Sequence, residues 1–332
     1  MIGRRALLAA AVVLCGCEPA PEVPAEPTSR PEPIVVYASY VDENYLPSLF
    51  AEFTRTTGIP VTVRHRPEPQ IVSEVIEKRG SPPADVLLTR SVHGIWQAAE
   101  EGALLPLQSD SVTQFVPDSL RDPDGYWTAI GFSPIYLVCN ADSQVDCDVV
   151  AKYENLGEPD FLSRLCLSSS SLAVNRTLIA NLIADHGVRP AEIIVRGWIA
   201  NLALPPYESE QELLQAIEDG TCAVGVVSRL ALHRFRKPTV AAIWPQPGYS
   251  DVEAVGIGRH ARSPDTARQL VEWLIGTKAQ VAHAKGSGLY PANSEAEEEA
   301  NRGMAASFER NVGIAGFNEV DAVKLAERAS YR

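Results

Sequence analysis

Ile34-Val35-Val36-Tyr37, Pro60 to His65 and Ala84-Asp85-Val86-Leu87-Leu88 are three short strand-like runs, and an amphipathic segment follows each. After the first, Leu46, Leu49, Phe50 and Phe53 recur at helical spacing within Asp42 to Thr57, and Gly58 stands where a helix would stop. Gln70 to Arg79 and Ser91 to Glu101 read as two further helices, the second ending at Gly102. Alternating strands and helices predict an α/β fold with a mainly parallel sheet, because parallel neighbours need a crossover long enough to hold a helix.

Downstream the rhythm changes. Val116 to Trp127 is rich in Pro, Asp and Gly and breaks the alternation. Ile135 to Cys139 then reads as a strand crossing to a second lobe. Further strands are expected at Leu165 to Ser168, Cys222 to Ser228 and Val240 to Trp244. Helices are expected at Asn175 to His186, Pro190 to Leu202 and Glu210 to Asp219. Ala254 to Ile257 should return to the first lobe, before helices at Pro264 to Leu274 and Thr277 to Ala284. The expected division places residues 34–134 and 250–295 in one lobe, and 135–249 and 296–332 in the other.

Upstream, Arg4 and Arg5 precede an apolar run from Ala6 to Leu14, which leads into Cys15-Gly16-Cys17. The run is much shorter than the roughly 20 apolar residues that span a bilayer, so residues 1–16 read as a cleaved export signal. Leu14-Cys15-Gly16-Cys17 resembles the bacterial lipobox. That resemblance implies cleavage before Cys17 and diacylglycerol on its thiol; more than one acyl chain then anchors stably. A plain secretory signal is the alternative. Glu18 to Pro33, rich in Pro, Glu and Ala, completes a lipidated tether at 17–33. The mature chain is expected outside the cytoplasm, held to a membrane by its lipid.

The net charge of −13 lacks the basic footprint that nucleic acid requires, and no polybasic membrane-binding face is evident. Six cysteines are present. With Cys15 lost and Cys17 acylated, Cys139, Cys147, Cys166 and Cys222 remain, and an oxidising compartment favours disulfides. Of the three pairings, Cys139–Cys147 and Cys166–Cys222 are favoured; buried free thiols are the alternative. No C-x-x-C spacing suggests zinc.

Enzyme signatures are weak. Ser168 to Ser171 lacks a G-x-S-x-G elbow, and the six histidines form no H-E-x-x-H pair. No phosphate-cradling glycine loop occurs. A cleft between two lobes fits a binding protein better than a catalyst. No cofactor is expected.

A series of motifs then resembles the ferric-iron-binding family of ABC-transporter solute-binding proteins. It comprises Val35-Val36-Tyr37-Ala38-Ser39, Phe53-Thr54-x-x-Thr57-Gly58-Ile59, Pro83 to Thr89, and Leu120-Arg121-Asp122-Pro123-Asp124-Gly125-x-Trp127. Tyr153-Glu154-Asn155-Leu156 with Pro159, Ser168 to Ser171, Asn201-Leu202-Ala203 before Pro205-Pro206, and Tyr290-Pro291 continue it. The resemblance runs in order over residues 34 to 332. It implies a two-lobe periplasmic binding protein fold: mainly parallel sheets flanked by helices, joined by crossover strands. It also implies capture of a small solute and delivery to an ABC permease, by a monomer. The family's tyrosine positions hold Leu230, Ala231, Val174 and Cys139 here, so binding of ferric iron through phenolates is not expected.

Candidate ligand-binding residues follow from this frame. Tyr40 (with Glu43), Glu68, Arg90 and Ser91 lie just past the first three strands, at the carboxyl edge where open α/β sheets bind ligands. Ser170, Ser171 and Asn175 lie at an expected helix start, which favours an anion. Arg229 suits a carboxylate, phosphate or phosphonate, as does Arg90. Tyr207 and Tyr290 could contact an organic ligand. A metal receptor using Glu68, His93 and Tyr290, or a non-transport sensor, are the alternatives; no metal ligand set is assigned.

Overall fold

The computed structural model describes residues 31–39, 45–78, 83–141, 151–237, 239–296 and 311–332. Cys17, Tyr40, Glu43 and Cys147 lie outside the described residues. Glu32–Arg332 form one compact unit.

The first half is built as the alternation predicts. β1 (Ile34–Ala38), α1 (Leu46–Thr57), β2 (Val61–His65), α2 (Glu68–Ile76), β3 (Val86–Thr89) and α3 (Val92–Glu100) follow in order. β2 and β3 pair with β1 on either side, both parallel. α1 buries Leu46, Leu49, Phe50 and Phe53, one stripe of an amphipathic helix. It stops at Gly58, whose φ of 75° places it in the left-handed region that glycine enters without Cβ strain.

β4 (Leu104–Leu105) and α4 (Asp110–Phe115) lead to β5 (Trp127–Asn140), which carries the architecture. All 14 of its residues are buried. The chain continues through β6 (Leu165–Cys166), α5 (Ala173–His186), α6 (Val188–Ala200), α7 (Glu210–Glu218), β7 (Val224–Ser228), α8 (Arg229–Phe235), β8 (Val240–Ile243) and β9 (Ser250–Gly258). It ends with α9 (Pro264–Ile275), α10 (Thr277–Ser287), β10 (Tyr290–Pro291) and α11 (Gly313–Arg328).

The strand order is β2-β1-β3-β9-β5-β7-β6. From Trp127 to Pro134, β5 runs antiparallel to β9; from Ile135 onwards it pairs instead with β7, and from Leu137 with β8 as well. One strand therefore belongs to two sheets, and the change of partner falls at Pro134, which has no N–H to donate to a ladder. The sheet is mixed, because β9 enters antiparallel between β3 and β5.

Several elements differ from the sequence expectation; α4, α8 and the short strands β4 and β10 have no counterpart in it, and three further differences are larger. β5 begins at Trp127 rather than Ile135, and β9 at Ser250 rather than Ala254. Both extensions hold Gly, Ser, Pro or acidic residues that weaken a strand pattern, and each is sustained by the other. α11 was not expected at all. Its buried residues include Gly313, Gly316 and Asn318, which are poor helix formers. Gly316 is needed because a Cβ there would lie 2.7 Å from Trp96 Cβ.

Cys166 and Cys222 are bridged, as the pairing predicted, with Cα atoms 5.8 Å apart. Both lie in a cluster with Tyr136, Val138, Leu213, Leu214 and Ile217. Cys139 is also disulfide-bonded.

Candidate functional site

A cavity of about 170 Å³ opens where the two sheets meet on β5 and β9. Ser133 and Ile135 of β5 line it, with Asp251, Val252 and Glu253 of β9. Arg90 arrives from the end of β3, Leu172 to Val174 from the start of α5, Glu210 from the start of α7, Ser228 from the end of β7 and Leu230 from the start of α8. Convergence of strand ends and helix starts is how α/β folds usually assemble a ligand site.

The sequence-predicted residues divide sharply here. Arg90 lines the cavity. Glu68 does not; it secures the edge of the site. Its Oε2 accepts from Arg90 N at 2.9 Å and its Oε1 from Ser91 Oγ. Ser91 is buried at the N-cap position of α3, and its hydroxyl is spent on Glu68 rather than on the helix's own N–H groups. Both side chains thus serve the turn after β3.

The serine run is likewise consumed by the fold. Ser170 Oγ donates to the Tyr331 carbonyl at 3.0 Å, and the Tyr331 hydroxyl donates to the Ser168 carbonyl at 2.7 Å. The Ser171 hydroxyl pairs with that of Ser169 at 2.8 Å. Asn175 is buried, and its amide donates to the Ser168 carbonyl and hydroxyl and to the Ser169 carbonyl, at 2.9 to 3.0 Å. α5 starts at Ala173, so Leu172, Ala173 and Val174 face the cavity in place of the serines. Tyr207 is bound through its backbone to Leu167 and Ser169 and packs against the cluster around the Cys166–Cys222 bridge.

Arg229 and Tyr290 are chain neighbours of the lining residues Ser228, Leu230 and Leu289. The Arg229 guanidinium lies over the Tyr290 ring, 4.8 Å from its centroid. The Tyr290 hydroxyl is 3.4 Å from that of Tyr136, whose ionisation burial pushes far above the ordinary range. This pair is a cation–π contact beside the cavity.

Two positions expected to replace tyrosines, Val174 and Leu230, line the cavity. Ala231 is buried in the cluster around Tyr136 instead, and Cys139 is buried in β5. The alternative metal set is dispersed among other partners: Glu68 on Ser91 and Arg90, His93 on Glu319 at 2.9 Å, and Tyr290 on Arg229. Among the described residues, no group of three or more His, Cys, Asp or Glu is placed to hold a metal ion.

Three carboxylates in the lining went unrecognised. Asp251 Oδ1 accepts from the N–H groups of Val92 and Val252, at 3.0 and 2.9 Å. Burial pushes its carboxyl up to about 7, against the pull of those donors and with help from the charges of Glu68 and Glu319. Glu210 accepts from the Ser228 N–H and hydroxyl, and burial raises its carboxyl above the ordinary range. Glu253 is bound to His283 at 3.1 Å, both groups being buried. The spacing of Asp251 and Glu253, two apart in an otherwise apolar run, was the available signal, since alternate strand residues share a face.

A family model for bacterial extracellular solute-binding proteins matches residues 81–310. The chain belongs to that family. It is a family of binding proteins rather than enzymes. Among relatives, this solute-binding protein is 27% identical over 297 residues to "Iron uptake protein A1" of Synechocystis, covering 84% of this chain and 81% of the relative. It is 21% identical over 295 residues to the "Fe(3+)-binding periplasmic protein" of Serratia marcescens, covering 84% and 82%. Its fold matches a Trichodesmium structure described as in complex with iron and citrate ligands, with a TM-score of 0.81 and 24% identity over 90% of this chain and 99% of that one. The architecture is thus the two-lobe periplasmic binding protein fold. Among the described residues of this solute-binding protein, no helix is long and apolar enough to cross a membrane.

Proposed function

We propose that this solute-binding protein is a lipid-anchored extracytoplasmic receptor that closes two lobes on a small organic anion and delivers it to an ABC importer. The lobes are residues 34–134 with 250–295, and 135–249 with 296–332, hinged where β5 changes partner. The observation that carries the ligand class is the chemistry of the cavity wall. Val174 and Leu230 offer no donor atom to a cation, while Arg90 and the start of α5 favour negative charge. A ferric site needs several correctly placed oxygen donors; Val174 and Leu230 supply none, and the lining carboxylates Asp251, Glu210 and Glu253 are already engaged by the Val92 and Val252 N–H groups, by Ser228 and by His283. Iron carriage by relatives is the competing reading, and it predicts a coloured complex.

Titration of the apo-protein with ferric citrate is expected to give no tyrosinate-to-iron charge-transfer band, whereas small carboxylates or phosphonates give one-to-one heat in a calorimeter. Arg90→Ala should weaken that binding by about thirtyfold, the scale of a charged hydrogen bond. A clear band with tight one-to-one iron binding would restore iron as the cargo.

The anchor reading rests on Leu14-Cys15-Gly16-Cys17. Cys17→Ala should shift the protein from membrane to soluble fractions and abolish incorporation of labelled fatty acid. Persistent labelling of the variant would remove the anchor from the proposal.

A further inference from the structure

α11 runs from one proposed lobe to the other. Before its first turn, Asn311 Nδ2 donates to the carbonyls of Asp118 and Arg121 at 2.7 and 2.8 Å, and Val312 N to that of Ser119 at 2.9 Å. At its other end, Arg328 Nε pairs with Glu192 of α6 at 2.8 Å, and Tyr331 exchanges hydrogen bonds with Ser168 and Ser170. The helix is therefore a strap between the lobes, separate from the crossing strands β5 and β9.

Glu319 lies midway along the strap, with only 13% of its side chain exposed. Its Oε2 is 2.9 Å from His93 Nδ1, in the first turn of α3, and its Oε1 is 2.7 Å from Arg176 Nε, in the first turn of α5. Neither contact has hydrogen-bond alignment, so charge rather than a directed N–H carries both. Burial works against a charged His93 ring, but the Glu319 carboxylate and the Gly316 backbone outweigh it and favour the protonated form. One carboxylate thus joins two cations on two different helices.

Those helices frame the cavity. Arg90 stands two residues before α3, and Leu172 to Val174 open α5. The strap reaches α3 closely at Gly316, against Trp96, and the Phe317 ring meets the Trp96 ring edge-on at 6.0 Å. In a partly buried triad of this kind desolvation offsets much of the attraction. Its effect then falls on which arrangement of the helices is held, more than on overall stability.

We infer that Glu319 is a positioning residue for solute capture: by joining His93 to Arg176 it holds the two cavity-framing helix starts, and with them the two lobes, close together before any solute arrives. The inference rests on the two-lobe receptor reading above and adds a residue that the solute does not touch. A receptor held in its binding arrangement avoids the loss of affinity that a sparsely populated competent state imposes.

The test measures lobe separation in the solute-free Cys17→Ala protein by electron–electron double resonance. Spin labels go on cysteines substituted at Thr56 of α1 and Gln215 of α7, exposed positions in different lobes, while Cys139, Cys166 and Cys222 are already in disulfides. A second pair, Thr56 with Glu101, lies within one lobe. Glu319→Gln keeps the shape but not the charge, and should lengthen the inter-lobe distance by about 2 Å or more, the scale of domain rearrangement, with the within-lobe distance unchanged. His93→Gln should reproduce the shift, and the double variant should add nothing to it, because both remove one tie. Unchanged inter-lobe distances in Glu319→Gln would overturn the inference and leave the two-lobe receptor standing. Additive shifts in the double variant would remove the tie between Glu319 and His93. A shift in the within-lobe pair as well would overturn the two-lobe division itself.

Discussion

Replacing Cys166 and Cys222 together by alanine is expected to cost on the order of 4 kcal/mol of stability, the chain-entropy value for a loop of this length. The bridge spans a sequence separation of 56 and links the end of β6 to the residue pair entering β7. The closed loop contains α5, α6 and α7, so in the unfolded chain three helices' worth of residues lose freedom. In the folded chain the bridge is cheap to hold, because β6 and β7 are already parallel neighbours, with Cys166 opposite Gly225. Both cysteines are bridged and buried, so alkylating reagents should leave them unmodified unless the chain is both unfolded and reduced. Denaturant unfolding of oxidised and reduced wild type, beside the double variant, measures the effect. Coincident transitions would show that the bridge contributes nothing.

Asp251→Asn should alter stability by a similar amount, but only at one end of the pH range. The folded carboxyl titrates at about 7, raised chiefly by burial, against roughly 3.9 in an unfolded chain. Between those values the native state holds a proton that the unfolded state has released. Stability therefore falls as pH rises from about 4 to about 7. Three pH units correspond to on the order of 4 kcal/mol. Asparagine keeps an oxygen for the Val92 and Val252 N–H groups and carries no charge. Wild type and variant should thus unfold alike near pH 4, and the variant should be the more stable by up to that amount at pH 8. Glu210, also raised by burial, adds its own loss in both proteins, so the difference between them isolates Asp251. A gap that does not change between pH 4 and pH 8 would refute the assignment.

How much of this was legible in the sequence depends on the range of the interactions involved. β1, β3 and α1 carry their own signals: continuous apolar runs for strands buried on both faces, and a stripe of Leu46, Leu49, Phe50 and Phe53 closed by Gly58. β5 carries only part of its signal. Gly131, Ser133 and Pro134 dilute the pattern over the segment that β9 holds, and β9 comes after more than one intervening helix. α11 is invisible locally, because its glycines and alanines are chosen for close approach to α3 and α5 rather than for helix propensity.

The site shows the same division. Arg90 was legible because the residue after a parallel strand lies at the ligand edge whatever else the fold does. The serine run misled, since hydroxyls at a helix start look like an anion cradle until Tyr331, from the far end of the chain, is seen to occupy Ser168 and Ser170.

By itself the sequence determined the fold class and the likeness to solute-binding proteins, which follow from local periodicity and ordered motifs, and it favoured the Cys166–Cys222 pairing without deciding it. Only the tertiary structure decided which polar groups are spent and which remain open. Glu68 and Ser170 are satisfied by partners remote in the chain and Asn175 by the nearby serine run, while Glu253 Oε1 is buried with no hydrogen-bond partner among the described residues. A side chain's chemistry is written in its residue type, but whether its hydrogen-bonding capacity is already taken depends on neighbours that only the folded chain brings within 3 Å or so of it.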